Sequence, residues 1–421
     1  MSVYSHFYLI VVCSNKFVKH GSKRPIPPSC FPMFPRSERQ MPPPAAAADW
    51  SGVHEDILSR IFLSLACIGD RVRFSAVNQQ WRGVALQNPP PLPWLLMPST
   101  AGTSCHRIFG GFADPQPPLA GAVRGARFCG SSPGGWSVVV LHQWHGHALL
   151  NLRSGERVPL PDHVRVTLNG GRAPPNFNVI RCPIMVRAAA VSAPPPSAAC
   201  VVAALTTGQT TMAFWRPGMD CWSPAPLGAP CDSQDLTYHD GCFWAVNPWE
   251  QLFCYKPEIA GADGALTVQH LVYQCCADQM TPPAPGEIVS RYLLPAASGE
   301  DLLMVKRFID PARGGTRRFE VFRLEKQLGR TSWRLYKMEG QVLFVGQSCS
   351  KAFDTGRSGN PGYIYFLDDV YGGRPMSVLQ QNEYPCTDMG GWSCSPDDEE
   401  IKRCLPWAHP SDSSPSIWYL H

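Results

Sequence analysis

Residues 136–141 read Trp136-Ser137-Val138-Val139-Val140-Leu141, an apolar run with three successive β-branched valines. Branched side chains suit a pleated surface better than a helix, so the run reads as a β-strand. Ala148 to Leu152 repeats the pattern, followed by turn residues Arg153-Ser154-Gly155-Glu156 and then Val158-Pro159-Leu160-Pro161. Cys200 to Leu205, Thr211 to Trp215, Cys242 to Val246, Leu302 to Lys306, Phe319 to Leu324, Trp333 to Met338 and Gly362 to Leu367 continue the series. No candidate helix separates these runs, which excludes a parallel α/β sheet. The grouping recurs at the ~40–50-residue length of a propeller blade. From Leu92 onward the chain has room for about six or seven such units. The fold class is therefore mainly β, a small N-terminal helical unit followed by a β-propeller of about six or seven blades. A pair of β-sandwiches is the rival architecture. A propeller absorbs a long all-β chain with fewer exposed edges.

Length and composition agree with more than one unit. The 421 residues exceed the ~250–300 at which a single core stops growing. The 43 prolines and 36 glycines imply many turns and few long helices. The net charge of +4 is small and the Lys and Arg are scattered, so no basic arm marks a nucleic-acid partner. The run Phe7 to Cys13 is far shorter than the ~20 residues of a membrane span, and no membrane partner is expected. The 17 cysteines include no Cys-x-x-Cys pair, which excludes zinc-ribbon and dithiol redox motifs. They read as reduced, buried thiols in the cytoplasm or nucleus. Residues 1–48 read as a disordered tail ending in the Pro/Ala linker Pro42 to Ala48, with Met41 as an alternative start. Their excess of Lys and Arg over the single acid Glu38 also suits a transit peptide, in which case the location is an organelle.

Between tail and strands, Val53, Ile57, Leu58, Ile61, Phe62 and Leu65 recur at spacings of three and four, one apolar stripe on a helix. Glu55 and Asp56 lie near its start, where the helix dipole favours negative charge. Gly69 supplies a stop, and Asp70 a cap for a second helix bearing Val72 or Phe74, Val77 and Trp81. So short a unit cannot bury all of these residues, and part of the stripe should seek a partner. The order Asp49-Trp50-Ser51, Glu55-Asp56-Ile57-Leu58, Ile61-Phe62, Arg73-Phe74, Ala76-Val77 and Trp81-Arg82 resembles a plant F-box over residues 49–88. His54 stands where that family has the proline that starts its first helix, and Asn78 where it has cysteine. The resemblance implies docking on a Skp-type adaptor and, through it, cullin. It makes Val53, Ile57, Leu58, Ile61, Phe62 and Leu65 adaptor-facing or core residues, with Val77 and Trp81 closing the bundle.

Residues 89–421 carry a second resemblance. Pro93-Trp94-Leu95-Leu96-Met97-Pro98, Gly130 to Trp136, Leu149 to Leu152 with Leu160-Pro161, Phe344 to Ser350, Gly359-Asn360, Ile364 to Asp369, Asp388-Met389-Gly390 and Leu405-Pro406-Trp407 follow in the order of the KIB-type, plant F-box-associated propeller family. Together the two resemblances imply the substrate-recognition subunit of an SCF-type E3 ubiquitin ligase. Such a subunit does no bond chemistry and needs no cofactor; its propeller binds a target protein. Trp215, Trp222, Trp244 and Trp249 are candidates for the target surface, blade packing being the alternative. A scaffold with a degenerate F-box, or an enzyme using the propeller channel, are the competing functions.

Motifs for chemistry are sparse. His142, His145 and His147 form H-x-x-H-x-H; on a strand His145 and His147 would share a face, as metal ligands might. No completing ligand is evident nearby, and a polar hairpin is the simpler reading. Asp368 and Asp369 are adjacent and would face opposite ways on a strand, which suits a turn better than an acid–base pair. Gly346-x-Ser348 lacks the last glycine of a nucleophile elbow, since Ser350 stands there.

Overall fold

A computed structural model describes residues 52–64, 74–87, 92–99, 102–107, 123–142, 145–167, 179–207, 210–226, 232–260, 265–275, 282–327, 330–354, 362–371, 374–375, 384, 386–393, 401–403, 405, 411 and 413–420. The tail and linker expected at 1–48, with Asp49 to Ser51, Leu65, Gly69, Asp70, Val72, Arg73, Gly359-Asn360 and Pro406-Trp407, lie outside them.

Helix α1 spans Glu55–Ser64 and α2 spans Gln79–Gln87. The His54 carbonyl accepts the Ile57 and Leu58 amides, and its Nδ1 accepts the Asp56 N–H at 3.3 Å, so the imidazole caps α1. Asn78 caps α2 in the same way, its Oδ1 accepting the Trp81 N–H at 2.9 Å. Both residues that depart from the F-box pattern thus do local work at a helix start. Leu58, Phe62, Phe74, Trp81 and Val84 pack into one small core. Gln80 Nε2 ties the pair by donating to the Val53 carbonyl at 2.9 Å.

The strands form a six-bladed propeller. β1 (Trp94–Met97) and β2 (Ser104–Arg107) belong to the closing blade. Blade 1 is β3 (Arg127–Ser132), β4 (Trp136–His142), β5 (His145–Asn151) and β6 (Arg157–Pro159). A hairpin of β7 (His163–Thr167) and β8 (Val179–Pro183) precedes blade 2, which is β9 (Met185–Val191), β10 (Val202–Thr207), β11 (Met212–Trp215) and β12 (Ser223–Pro224). Blade 3 is β13 (Asp235–His239), β14 (Cys242–Val246), β15 (Leu252–Ala260) and β16 (Ala265–Tyr273). Blade 4 is β17 (Ile288–Pro295), β18 (Leu302–Asp310), β19 (Gly315–Gln327) and β20 (Arg330–Leu335). Blade 5 is β21 (Gln341–Val345), β22 (Lys351–Asp354), β23 (Tyr363–Phe366), β26 (Gly390–Ser393) and β27 (Ile401–Lys402), with a small hairpin, β24 (Val370–Tyr371) and β25 (Arg374–Pro375), inserted. Finally β28 (Ile417–Tyr419) pairs with β1, Trp94 opposite Tyr419 and Leu96 opposite Ile417, closing the ring with both ends of the propeller.

The run that reads most clearly as a strand, 136–141, shows why blades need such sequences. Val138 and Val140 pack toward blade 2, while Val139 packs into the core shared by blades 1, 5 and 6. Both faces of a blade are covered, so the strand is apolar at successive positions from Val138 to Leu141 rather than at alternate ones. Cys242 to Val246 is a strand as expected; Trp333 to Met338 is displaced, the strand being Arg330–Leu335. The inner strand Met185–Val191 was not anticipated, because its alanines carry weak β preference. Small residues are needed there: a Cβ on Gly130 would lie 2.0 Å from the Ala189 carbonyl oxygen of the neighbouring blade.

The axis is filled by the turn 346–350. Ser348, at φ 52°, donates its N–H to Asp235 Oδ1 at 2.7 Å and accepts the Ser131 N–H at 3.1 Å, joining blades 5, 3 and 1. Gln347 donates its N–H to Asp369 Oδ2 at 2.8 Å, and Leu293 donates to Asp235 Oδ2 at 2.8 Å. Burial raises the Asp235 carboxyl to about 7, against the lowering effect of these amide donors. Beside it, the fully buried Arg307 donates to Thr316 Oγ1 at 2.7 Å, to Asp369 Oδ1 at 3.2 Å and to Asp388 Oδ2 at 2.9 Å. Burial alone would lower the Arg307 pKa, but attraction to the Asp388 and Asp369 carboxylates outweighs it and raises it. Replacing Arg307 with Met would leave Asp369 and Asp388 without their cation. We expect Arg307→Met to cost about 3–5 kcal/mol in urea unfolding; a loss under ~1 kcal/mol would show that the network is dispensable.

Candidate functional site

Among the described residues, three regions can meet another molecule: the exposed apolar side chains of the helical unit, the ends of the propeller axis and the exposed aromatic residues.

On the helical pair, Leu58 and Phe62 are buried, Val53 and Ile61 half-buried, and Ile57 is 54% exposed. Trp81 lies in the small core, as a residue closing the bundle would. Val77 does not: it is 50% exposed. Leu63, which falls outside the stripe read from the sequence, is 57% exposed. Periodicity identifies which residues share a helix face but not which part of that face α2 covers. Three large apolar side chains, Ile57, Leu63 and Val77, therefore stand in solvent on a unit of some thirty residues.

At one end of the axis, all six blades contribute to a recess of about 230 Å³ through Ser131, Ser192, Thr237, Leu293, Lys351 and Leu420. Several of its hydroxyls are already engaged. Ser131 Oγ accepts the Leu420 N–H at 3.0 Å, Ser192 Oγ donates to the Ala199 carbonyl at 2.8 Å, and Ser350 Oγ donates to the Gly346 carbonyl at 2.9 Å. Among the described residues no carboxylate or imidazole lines the recess, so it offers no acid–base pair. It is also smaller than the ~300–1,000 Å³ of ordinary small-molecule sites. At the other end lies a cavity of about 30 Å³ lined by Arg127, Arg187, Gln347, Asp369 and Tyr384 among others. Asp368 and Asp369 are both buried in the bend after β23. Asp368 Oδ2 accepts the Thr387 and Asp388 amides at 2.8 and 2.9 Å, and Asp369 serves the axial turn and Arg307. Both carboxylates hold structure.

Of the four tryptophans expected at a target surface, Trp215, Trp222 and Trp244 are buried in the blades. Trp222, wholly buried, donates its indole N–H to the Pro161 carbonyl at 2.7 Å and pins the β7–β8 hairpin to blade 2. Trp249 alone is exposed, at 69%, on a turn whose next residue, Glu250, has φ 63°. Asn247 Oδ1 accepts the Trp249 and Gln251 amides at 3.1 and 3.0 Å, and Glu250 pairs with Arg291 and Lys306 at 2.7 and 2.9 Å. The turn is thus rigidly held with its indole outward.

The histidine cluster does not converge. Gly146, at φ 77°, turns the chain between His145 and His147, so the two do not share a face: His145 is exposed and His147 buried. The sequence reading missed the partner of His147. Its Nδ1 lies 2.5 Å from Asp162 Oδ1, and its Nε2 accepts the Val186 N–H at 3.3 Å, which places the neutral proton on Nδ1. Asp162 also accepts the Gly146 N–H at 2.9 Å. The residue that carries this signal lies 15 positions on, beyond the window of the motif.

A model of the KIB1-4 β-propeller family matches residues 106–393, more than half of the chain. The chain belongs to the KIB1-4 β-propeller family. The KIB1-4 match starts within β2 and ends with β26, so β1 and β28, which close the ring, lie outside it, as do both helices. No curated protein matches this KIB1-4 member. Among solved structures, the N-terminal domain of Nup159 is 8% identical, with 76% of this chain and 77% of that one covered and a TM-score of 0.34. YCF48 bound to D1 peptide is 11% identical over 59% of this chain and 82% of that one, TM-score 0.29. A Mycobacterium tuberculosis puromycin-hydrolyzing peptidase is 13% identical over 68% of this chain and 48% of that one, TM-score 0.28. No helix among the described residues is long and apolar enough to cross a membrane.

His147 makes the junction of blades 1 and 2 sensitive to acid. Burial lowers its pKa, outweighing the raising influence of Asp162. Asp162 itself is opposed by burial, but hydrogen bonds from His147 and Gly146 leave its pKa below the usual carboxylate value. The unfolded chain takes up the imidazole proton near pH ~6.5, the folded chain only at lower pH. Stability from this site is complete above that value and declines as pH falls through it. Between pH 7.5 and 5.5, the wild type should lose about 1 kcal/mol more stability than His147→Gln in urea unfolding; parallel losses in the two proteins would contradict the assignment.

Proposed function

We propose that this KIB1-4 propeller is the target-binding body of an SCF-type ubiquitin-ligase receptor, docked through residues 49–88 on a Skp-type adaptor and thence cullin. The observation that carries the reading is the exposure of three apolar side chains, Ile57, Leu63 and Val77, on a small helical unit that has its own core. Such exposure costs free energy in water, and docking on another protein removes it. The F-box-like order of residues supplies the identity of that protein. The mechanism is positional: the receptor holds a target near a ubiquitin-charged enzyme and raises its effective concentration there, with no bond chemistry of its own. The cysteines among the described residues form no disulfide and are mostly buried, which suits the cytoplasm or nucleus.

On the propeller, Trp249 is the residue best placed to anchor a target, since an exposed indole on a fixed turn loses little entropy when it is covered. Leu271 and Val272 of the same blade are also exposed.

Two surface changes test the two halves separately. Ile57→Asp and Leu63→Asp replace exposed side chains, so the melting temperature should stay within ~2–4 °C of wild type. Burying either carboxylate against the adaptor would be strongly disfavoured, and adaptor co-purification should fall at least ~10-fold. Undiminished co-purification from both variants would refute the receptor reading. Trp249→Ala should keep adaptor binding while reducing proximity labelling of the target; unchanged labelling would move the target surface elsewhere.

A further inference from the structure

Most buried cations of the propeller have a carboxylate in contact. Arg291 and Lys306 share Glu250, and Arg307 holds Asp369 and Asp388. Buried Arg127 and half-buried Arg187 break this pattern. Arg127, the first residue of β3, is buried; its Nη2 donates to the Val186 carbonyl at 2.6 Å, but its Nε is buried without a hydrogen-bond partner. Arg187, on β9, donates from Nη2 to the Ser233 carbonyl, and its Nη1 is likewise buried and unpartnered. Among the described residues no ion pair reaches either guanidinium. Both line the same axial cavity of about 30 Å³.

Two like charges on adjacent inner strands, each with an unused donor, are costly in a low-dielectric interior. The neighbouring acids leave both unused donors without a hydrogen bond. Asp369 lines the cavity, but its oxygens are engaged by Tyr292 at 2.7 Å, Arg307 at 3.2 Å and the Gln347 N–H at 2.8 Å. Asp235 and Asp232 act on Arg187 only through space, and burial still lowers its pKa to about 10. Cys129 and Tyr384, the other ionisable side chains on the lining, have pKa values raised by burial and stay neutral. We propose that this cavity is a binding site for one small monovalent inorganic anion of chloride size, held between Arg127 and Arg187. Its volume admits one or two water-sized objects and excludes a nucleotide or a phosphopeptide. An anion there accepts from the two unused N–H groups at once and joins blade 1 to blade 2 at the axis.

The test uses the full chain. Its melting temperature is compared in sodium chloride and in sodium gluconate at equal ionic strength, alongside Arg187→Met. Wild type should melt about 2–4 °C higher in chloride, and Arg187→Met should lose that difference. Independently, crystals soaked in bromide should show an anomalous peak between Arg127 and Arg187. Equal melting of wild type in the two salts, or the same chloride response in Arg187→Met, would overturn the proposal. So would water alone in the cavity, or a peak without a melting response, which would mark an adventitious ion only. If Arg187→Met does not fold, the wild-type salt response and the bromide peak together decide.

Discussion

The structure depends on how the buried turn 346–350 satisfies its backbone at the axis. Inner strands of the blades crowd this turn, so its buried polar groups need partners within the protein. Asp235 and Asp369 accept its amide donors, while its Ser348 carbonyl accepts the Ser131 N–H of the blade across the axis. The strain of a non-glycine residue at positive φ, and the cost of burying carboxylates, are accepted in exchange for a filled axis. Glycine at position 130 follows from the same crowding, since the facing blade leaves no room for a side chain.

Charge in this protein is mainly cement. The Arg307 cluster joins blades 4 and 5, the Glu250 cluster holds the Trp249 turn, and His147 with Asp162 joins blades 1 and 2. Among the described residues, Asp235, Asp368, Asp369 and His147 are buried and hydrogen-bonded within the propeller. Other surface is of a different kind: exposed Ile57, Leu63 and Val77 on the helical unit, one indole on a stiff turn, and an axial cavity lined by two arginines.

Local sequence determined a good deal. Unbroken valine runs such as 138–140 mark strands covered on both faces, because a blade lies between two others. The spacing of Leu58 and Phe62 marks residues that meet in the helical core, because helical neighbours lie three or four positions apart. Turn-rich composition and the absence of interposed helices were enough for an all-β body, and the ordered motifs of 93–407 for its family.

Only the tertiary structure decided the rest, since the partners involved are remote in the chain. Asp235 meets Ser348 across 113 residues and Arg307 meets Asp388 across 81, separations at which no periodicity survives. The same remoteness decided that Trp215, Trp222 and Trp244 are packing and Trp249 is not, and that Ile57 faces water while Leu58 does not. A periodic pattern specifies which side chains share a face. What covers that face depends on where distant segments come to rest, a property of the folded ring and not of any one stretch within it.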